Sequence, residues 1–564
     1  MKRILLLLTM FSAHVIVSQT QFQWAKSFGN SANESAVKLA VDSNDNVYII
    51  GTFSGTVDFN PGSGIDNKTS SGGIDGYLVK LDSNGNYLWS INLGGTSDDY
   101  ISDIVIDLSD NVYLVGNFQG TADFNPSPSV TLNTTSLGST DIFILKLNAA
   151  GTYQFHRTIG GTSSDTATRL ILDNSNVPII IGTFQGVVDF DPSSGSQFLA
   201  ATGLSDMYLL KLSNFTGGLL GVSKFDGTSN SIITPTSIFI DANNNTYLGG
   251  YFRGTIDFDP SSGNSSLTAN NATNNSSFLL KLSSTNNLTW LVGLNSNGDV
   301  TLQDMKLDQL GNVVSTGSFT GTVDFDPSSG LREITSSATN TFIWKLDNNT
   351  NILYAGRFTG VNSNAGYALE IDSSNDIYIT GFFTSNNVDF NPNSGFAYQS
   401  GWAGGNDVFI TKILFTGAFG YAKRMGSTGN DDGFDILIKG SSLYTLGRFE
   451  GTSDFDPELA VSNLTSNGGQ DSYVQKLSEN SLGLEGIENF NFKLYPNPVN
   501  SNLNLKTGLS DFNYAIYTVE GKMVKQGKSN VPNTPVDVSS LTNGTYLMEI
   551  ESNNIKTTSK LIKN

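Results

Sequence analysis

Apolar and polar residues alternate in short runs that return along most of the chain. Residues 101–107 (ISDIVID) alternate with period two and predict a strand. A turn through Ser109-Asp110-Asn111 leads into 112–118 (VYLVGNF), a second strand. A connection of more than twenty residues follows, then a third strand at 142–147 (IFILKL). Ala149-Ala150-Gly151 turns the chain into a fourth strand, 153–159, and Gly160-Gly161-Thr162 precedes the next unit. Four short strands separated by turn signals predict one antiparallel sheet.

The unit repeats. Asp-Phe-Asn/Asp-Pro recurs with its leading Asp at Asp58, Asp123, Asp189, Asp257, Asp324, Asp389 and Asp454, a mean period of 66 residues. A fixed period of this length marks one supersecondary unit stacked many times. The third strand carries Lys80, Lys146, Lys211, Lys281, Lys345, Lys412 and Lys476. The first strand closes on Asp42, Asp107, Asp173, Asp241, Asp308 and Asp372, with Lys439 in the seventh unit. Radially repeated four-stranded sheets predict an all-β fold, a seven-bladed β-propeller over 19–477. Residues 22–28 read as a fourth strand with no three before it, and 472–477 as a third with no fourth. Pairing them would close the last blade, which an open solenoid, the other arrangement, would leave unexplained.

After a polar linker at 478–493 the texture changes. Leu494-Tyr495-Pro496-Asn497-Pro498, alternating Leu503 and Leu505, 514–517, and Glu520-Gly521-Lys522 predict a small β-sandwich over 494–564.

Two resemblances follow from these residues. The hairpins at 41–51 (VDSNDNVYIIG) and 77–85 (YLVKLDSNG), with Leu93-Gly94-Gly95-Thr96, resemble the SBBP-type propeller repeats of bacterial secreted proteins over about 22–480. That family implies a fold and an extracellular setting, and no fixed ligand. The block 494–564 resembles the type A C-terminal sorting domain of the type IX secretion system. It does so through Leu494–Pro498, the Glu520-Gly521-Lys522 hairpin, Asn543-Gly544-Thr545-Tyr546 and the basic Lys560-Leu561-Ile562-Lys563 end. This implies export across the outer membrane, release or attachment at the cell surface, contact with the secretion machinery, and removal of the domain by a cut within 478–493. A generic adhesion sandwich is the plainer alternative.

Composition places this chain outside the cytoplasm. Met1-Lys2-Arg3, an apolar core and Ser18 read as a signal peptide over 1–18, too short to span a bilayer. No transmembrane segment is expected elsewhere. Cysteine is absent, which excludes disulfides, thiolate catalysis and Cys-ligated zinc. The net charge of −20 is uneven: 494–564 carries seven lysines against five acids, and 19–493 carries −24. So acidic a surface repels nucleic acid and favours divalent cations or basic partners.

The Asp-Phe-Asp-Pro loops are the first candidate site. Asp189 and Asp191, Asp257 and Asp259, and Asp324 and Asp326 offer oxygen ligands suited to Ca²⁺, on a face that Asp98, Asp99, Asp165, Asp431 and Asp432 could share. Against this, each Asp can cap its own turn while Pro fixes the bend and Phe plugs between blades. The mature chain keeps one histidine, His156, on an outer strand and without a Gly-x-Ser-x-Gly elbow. A two-carboxylate glycosidase needs no histidine, but its pair must break the sevenfold symmetry. Trp402, Arg332, Glu333, Arg357 and Arg424 break it. The expected function is a monomeric, non-enzymatic binding or adhesion scaffold for an extracellular glycan or protein. The alternative is a carbohydrate-active enzyme, a carboxylate-based glycoside hydrolase or lyase.

Overall fold

A computed structural model describes residues 19–480 and 493–564, apart from positions 128, 394, 400, 459, 508–510, 519–521, 532 and 553–554. The expected leader (1–18), most of the expected linker and the Glu520-Gly521 turn lie outside the described residues. The chain divides into a compact unit of residues 20–479 and a second holding the residues from 480 onward. Every regular element among the described residues is a β-strand.

In the larger unit the strands form successive four-stranded antiparallel meanders, the first of which is extended to six strands by the hairpin Thr121–Asp123/Asn133–Thr135. Sheets one to seven begin with Ser35–Val41, Tyr100–Ile106, Thr166–Leu172, Ile232–Ile240, Val300–Leu307, Asn364–Ile371 and Asp432–Lys439. The fourth strand of sheet seven is Gln19–Phe28, which pairs with Asn463–Asn480 at the other end of the unit. In the first six units the first hairpin is set by the Asp that closes the first strand. Asp42 Oδ1 accepts the N–H groups of Asn44 at 3.0 Å and Asn46 at 2.9 Å. Asp107, Asp173, Asp241, Asp308 and Asp372 do the same. The turn needs one left-handed residue, supplied by Asp45, Asp110, Asn176, Asn244 and Asn375 at φ of 59–64° and by Gly311.

The middle strands are apolar on both faces because each sheet is covered on both sides. Tyr48, Ile50 and Leu78 of sheet one pack on Ile104, Leu114 and Leu145 of sheet two. Trp24, Leu446 and Val474 of sheet seven pack on Leu39, Ile49 and Val79 of sheet one.

The long connection between second and third strands, read from sequence as a loop, is itself a hairpin. Thr56–Asp58 pairs with Asn67–Thr69, and Thr121–Asp123 with Asn133–Thr135. In sheet five the hairpin merges into Val313–Asp324 and Glu333–Leu346. Facing threonine hydroxyls join its arms, as in Thr56–Thr69 at 2.8 Å and Thr322–Thr335 at 2.8 Å. Three-residue strands are too short to announce themselves by period.

Among its described residues the smaller unit has two sheets, one containing Asn502–Lys506 and Asn533–Asp537, the other Phe512–Thr518 and Gly544–Ser552. Leu503, Leu505 and Val536 of the first enclose one core with Ile516, Met548 and Ile550 of the second.

Candidate functional site

The Asp-Phe-Asx-Pro loops are built alike. Asp189 Oδ1 accepts the N–H of Asp191 at 3.1 Å and of Gln197 at 2.7 Å. Asp257 holds Asp259 and Ser265, and Asp324 holds Asp326 and Arg332, through the same oxygen. Asp58, Asp123, Asp389 and Asp454 repeat the pattern. The Phe is buried each time and meets the last aromatic of the second strand edge-on: Phe59 on Phe53, Phe124 on Phe118, Phe190 on Phe184. Asp191, Asp259 and Asp326 each cap the following serine N–H. Those serine contacts hold the exposed carboxyls of Asp191 and Asp326 below the usual range. Among the described residues no three acidic or histidine side chains are grouped to hold a metal ion.

Asp99, Asp165 and Asp431 do not line an open carboxylate face. They are buried between successive sheets, next to Asp75, Asp141 and Asp407 respectively. Asp165 accepts N–H groups from Gly161 and Gln185, whereas Asp141 Oδ1 has no partner. Asp75 Oδ1, Asp407 Oδ1 and Glu34 Oε1 are likewise buried and unpartnered, Glu34 lying beside Asp471. Where sheet four supplies Ser231 instead of an acid, Asp206 Oδ1 takes the Gly227 N–H. Between sheets five and six two amides meet, Asn364 donating to Asn340 at 2.6 Å.

A cavity of about 330 Å³ is lined by residues from the first strands of all seven sheets. Every one of these strands carries a bulge at the same place, for example between Ala36 and Lys38, between Leu302 and Asp304, and between Gly433 and Asp435. A bulge re-aims the residue that follows it. That residue, four before the closing Asp or Lys, reads Lys38, Asp103, Arg169, Ser237, Asp304, Ala368 and Asp435. Two positions on, sheets five and six place Lys306 and Glu370 where the others carry apolar residues.

These side chains do two things. Where the position carries an oxygen it staples its strand to the next one. Asp103 takes the Leu170 N–H at 2.8 Å, Ser237 that of Met305 at 3.1 Å, Asp304 that of Leu369 at 3.0 Å and Asp435 that of Leu39 at 3.0 Å. They also form a mixed charge cluster, with Lys38 on Asp435 at 2.6 Å and Lys306 near Glu370 at 3.7 Å. Burial opposes the charge of Lys306, but Glu370, Asp304, Asp435 and Asp103 outweigh it and hold the ammonium above the usual lysine range. Burial pushes the Asp103 carboxyl up against the pull of Arg169 and Lys38. The arrangement can bind a small ligand bearing both donors and acceptors. Motifs in the sequence do not point to it, although lining up the seven first strands on their closing residue shows one position that obeys no rule.

The other symmetry-breaking residues lie outside this cavity. His156 is held by Tyr153 OH and Thr134 Oγ1, both at 3.0 Å, and stacks on Phe124; burial pushes its pKa down. Trp402 donates to Gly405 O, and Arg424 pairs with buried Asp407 at 2.6 Å. Arg332 reaches Ala355 O, exposed Glu333 pairs across the hairpin with Asp324, and Arg357 donates to Thr335 O.

Residues 493–564 match the family described as the secretion system C-terminal sorting domain. That domain marks the chain as a type IX secretion cargo, secreted or attached to the cell surface, and implies contact with that machinery. Among the described residues no helix is long and apolar enough to cross a membrane. A WD repeat-containing protein of Acanthamoeba polyphaga mimivirus is 27% identical over 241 residues, covering 37% of this chain and 17% of that protein's length. Among solved structures, a protein of unknown function from Bacteroides caccae aligns at 8% identity and a TM-score of 0.30, over 70% of this chain and 94% of that one. PorZ, a surface component of the type IX secretion system of Porphyromonas gingivalis, aligns at 9% identity and a TM-score of 0.23, over 96% of this chain and 100% of that one.

Proposed function

We propose that residues 20–479 form a closed seven-bladed propeller of the SBBP-like secreted type. It works outside the cell as a monomeric, non-enzymatic binding scaffold, with an N-terminal leader taking the chain across the inner membrane. One observation carries this reading. The parts that build the blades (the Asp and Phe of the Asp-Phe-Asx-Pro loops and the Lys of the third strand) keep the repeat, while the cavity-facing position abandons it. A scaffold that only spaced other parts would have no reason to vary there.

The carboxylates of the cavity suit architecture better than hydrolysis. Asp103, Asp304 and Asp435 each give an oxygen to a neighbouring backbone N–H, and Glu370 faces Lys306. The test is to screen the purified full-length protein on glycan and surface-protein arrays, with and without chelator, beside a polysaccharide hydrolysis assay. The binding reading expects a ligand retained without turnover and weakened in Lys306→Ala. Hydrolysis abolished by Glu370→Gln would replace it with the enzyme reading. Loss of binding in chelator would move the site to the Asp-Phe-Asp-Pro loops and Ca²⁺.

A further inference from the structure

A second concavity, of about 590 Å³, lies between sheets five and six, away from the central cavity. Its floor carries Phe396 and Tyr398, whose rings lie 5.5 Å apart and within 14° of parallel. They are 78% and 53% exposed, and both line the groove. The same loop of the other sheets carries Ile65, Leu331 or Val461 at the place of Phe396, or Thr131, Ser196 and Asn264. At the place of Tyr398 stand Asn67, Asn133, Phe198, Ser266, Glu333 and Asn463. Of these seven loops, the one in sheet six alone stacks two rings.

The wall supplies hydrogen-bond donors left unused by the fold. Arg357 gives one N–H to Thr335 O, and no carboxylate lies within ion-pair distance of it among the described residues. Arg424 and Arg448, by contrast, are held by Asp407 and Asp432. The side-chain amide of exposed Asn387 makes no hydrogen bond among the described residues, while Asn393 is tied to Gly417 O at 2.6 Å. The acid here, Asp389, spends Oδ1 on the N–H groups of Asn391 and Ala397.

We propose that this groove is a saccharide subsite. It takes a neutral hexopyranose chain, one sugar ring lying on an exposed face of the Phe396–Tyr398 stack and its hydroxyls accepting from Arg357 and Asn387. Parallel, solvent-facing rings present an apolar π face to the C–H face of a pyranose, and a planar guanidinium with free N–H groups matches vicinal hydroxyls. A peptide anchor would want a closed apolar pocket, and this groove is open, with Ser336, Ser337, Asn340 and Asn393 lining it beside the rings and Val361. A polyanion would meet the −24 carried by residues 19–493. The proposal names the ligand class of the binding scaffold above and rests on that reading.

The test is affinity electrophoresis and calorimetry of the full-length protein on soluble glucan, galactan and mannan, with alginate and polygalacturonate as anionic arms. Phe396→Ala/Tyr398→Ala removes exposed rings and should keep the wild-type melting temperature. It is expected to weaken binding to a neutral polymer at least about tenfold, and Arg357→Gln several-fold. Val461→Ala, at the equivalent place in sheet seven, should change nothing. Wild-type affinity in the double variant overturns the subsite and leaves the scaffold reading intact. Binding confined to the anionic polymers overturns the neutral ligand. No retention on any polymer overturns the subsite, while a protein ligand found on the arrays would still uphold the scaffold.

Discussion

One carboxylate oxygen of Asp324 accepts two backbone N–H groups, from Asp326 at 3.0 Å and Arg332 at 2.7 Å, and so closes the loop that the Phe325 plug depends on. Removing it strands both donors, each worth about 1 kcal/mol when paired. Asp324→Ala should therefore lose about 1–2 kcal/mol in urea unfolding, and Asp324→Asn, which keeps a carbonyl oxygen, clearly less. Equal losses would mean that charge, not hydrogen bonding, holds the loop. A second residue-scale effect is steric. A Cβ on Gly160 would sit 2.2 Å from Asp141 Cγ, on the neighbouring strand. Gly160→Ala should cost about 1–3 kcal/mol, as overpacked sites do, and most of it should return in Gly160→Ala/Asp141→Ser. A silent Gly160→Ala would refute that account. The sequence displays the Asp-Phe-Asx-Pro and Gly-Gly-Thr signals plainly. It does not display the cause of the second, because the carboxylate resting on that glycine arrives from a residue nineteen positions earlier.

Between sheets buried acids meet one another, and of these only Asp407 has a cation, Arg424, beside it among the described residues. Burial, with a neighbouring carboxylate adding to it, pushes Asp75 and Glu34 up to about 7 and Asp141 to about 6, and burial carries Asp407 to about 6 against the pull of Arg424. Asp99 and Asp471, also buried, rise to about 6. In the unfolded chain the same acids titrate near 4. The folded state thus keeps protons that the unfolded chain releases between about pH 4 and 7, so stability falls as pH rises through that window and levels off above it. The melting temperature should be higher at pH 5 than at pH 8, and Asp75→Asn should shrink the difference. A higher value at pH 8 would refute the assignment. The amide pair Asn340–Asn364 is the neutral version of the same junction and needs no proton. Strands, turns and their order are legible in the sequence because period two and Asp-x-Asn turns are local. The bulges are not. One unpaired residue per first strand re-aims the next side chain without disturbing the composition. For that reason the cavity residues, Lys306 and Glu370 above all, carry no motif by which to find them.

At the scale of the molecule the two ends of the larger unit meet in one sheet. Gln19–Phe28 pairs with Asn463–Asn480, and its Trp24 packs among Tyr444 and Leu446 of sheet seven and Leu39 and Ile49 of sheet one. Lys38 of sheet one reaches Asp435 of sheet seven. The complementary ends are visible in sequence because an unmatched fourth strand and an unmatched third strand stand out against a strict repeat. The saccharide groove is not, since Phe396 and Tyr398 look like ordinary loop residues until Arg357, from the preceding sheet, is brought beside them. The closed ring proposed above would have a consequence that an open stack lacks. In an open stack each sheet depends on its neighbours only, so loss of one terminal strand frays one end. In a closed ring the same loss opens the edge of Asn463–Asn480 and uncovers the contact between sheets seven and one, and every other sheet then loses its constraint. Deleting residues 19–28 should abolish the single cooperative melt and lower amide-exchange protection even in sheets three and four. Adding the 19–28 peptide in trans should restore part of it. Protection unchanged in sheets three and four, with fraying confined to sheet seven, would show that the sheets stack without closing.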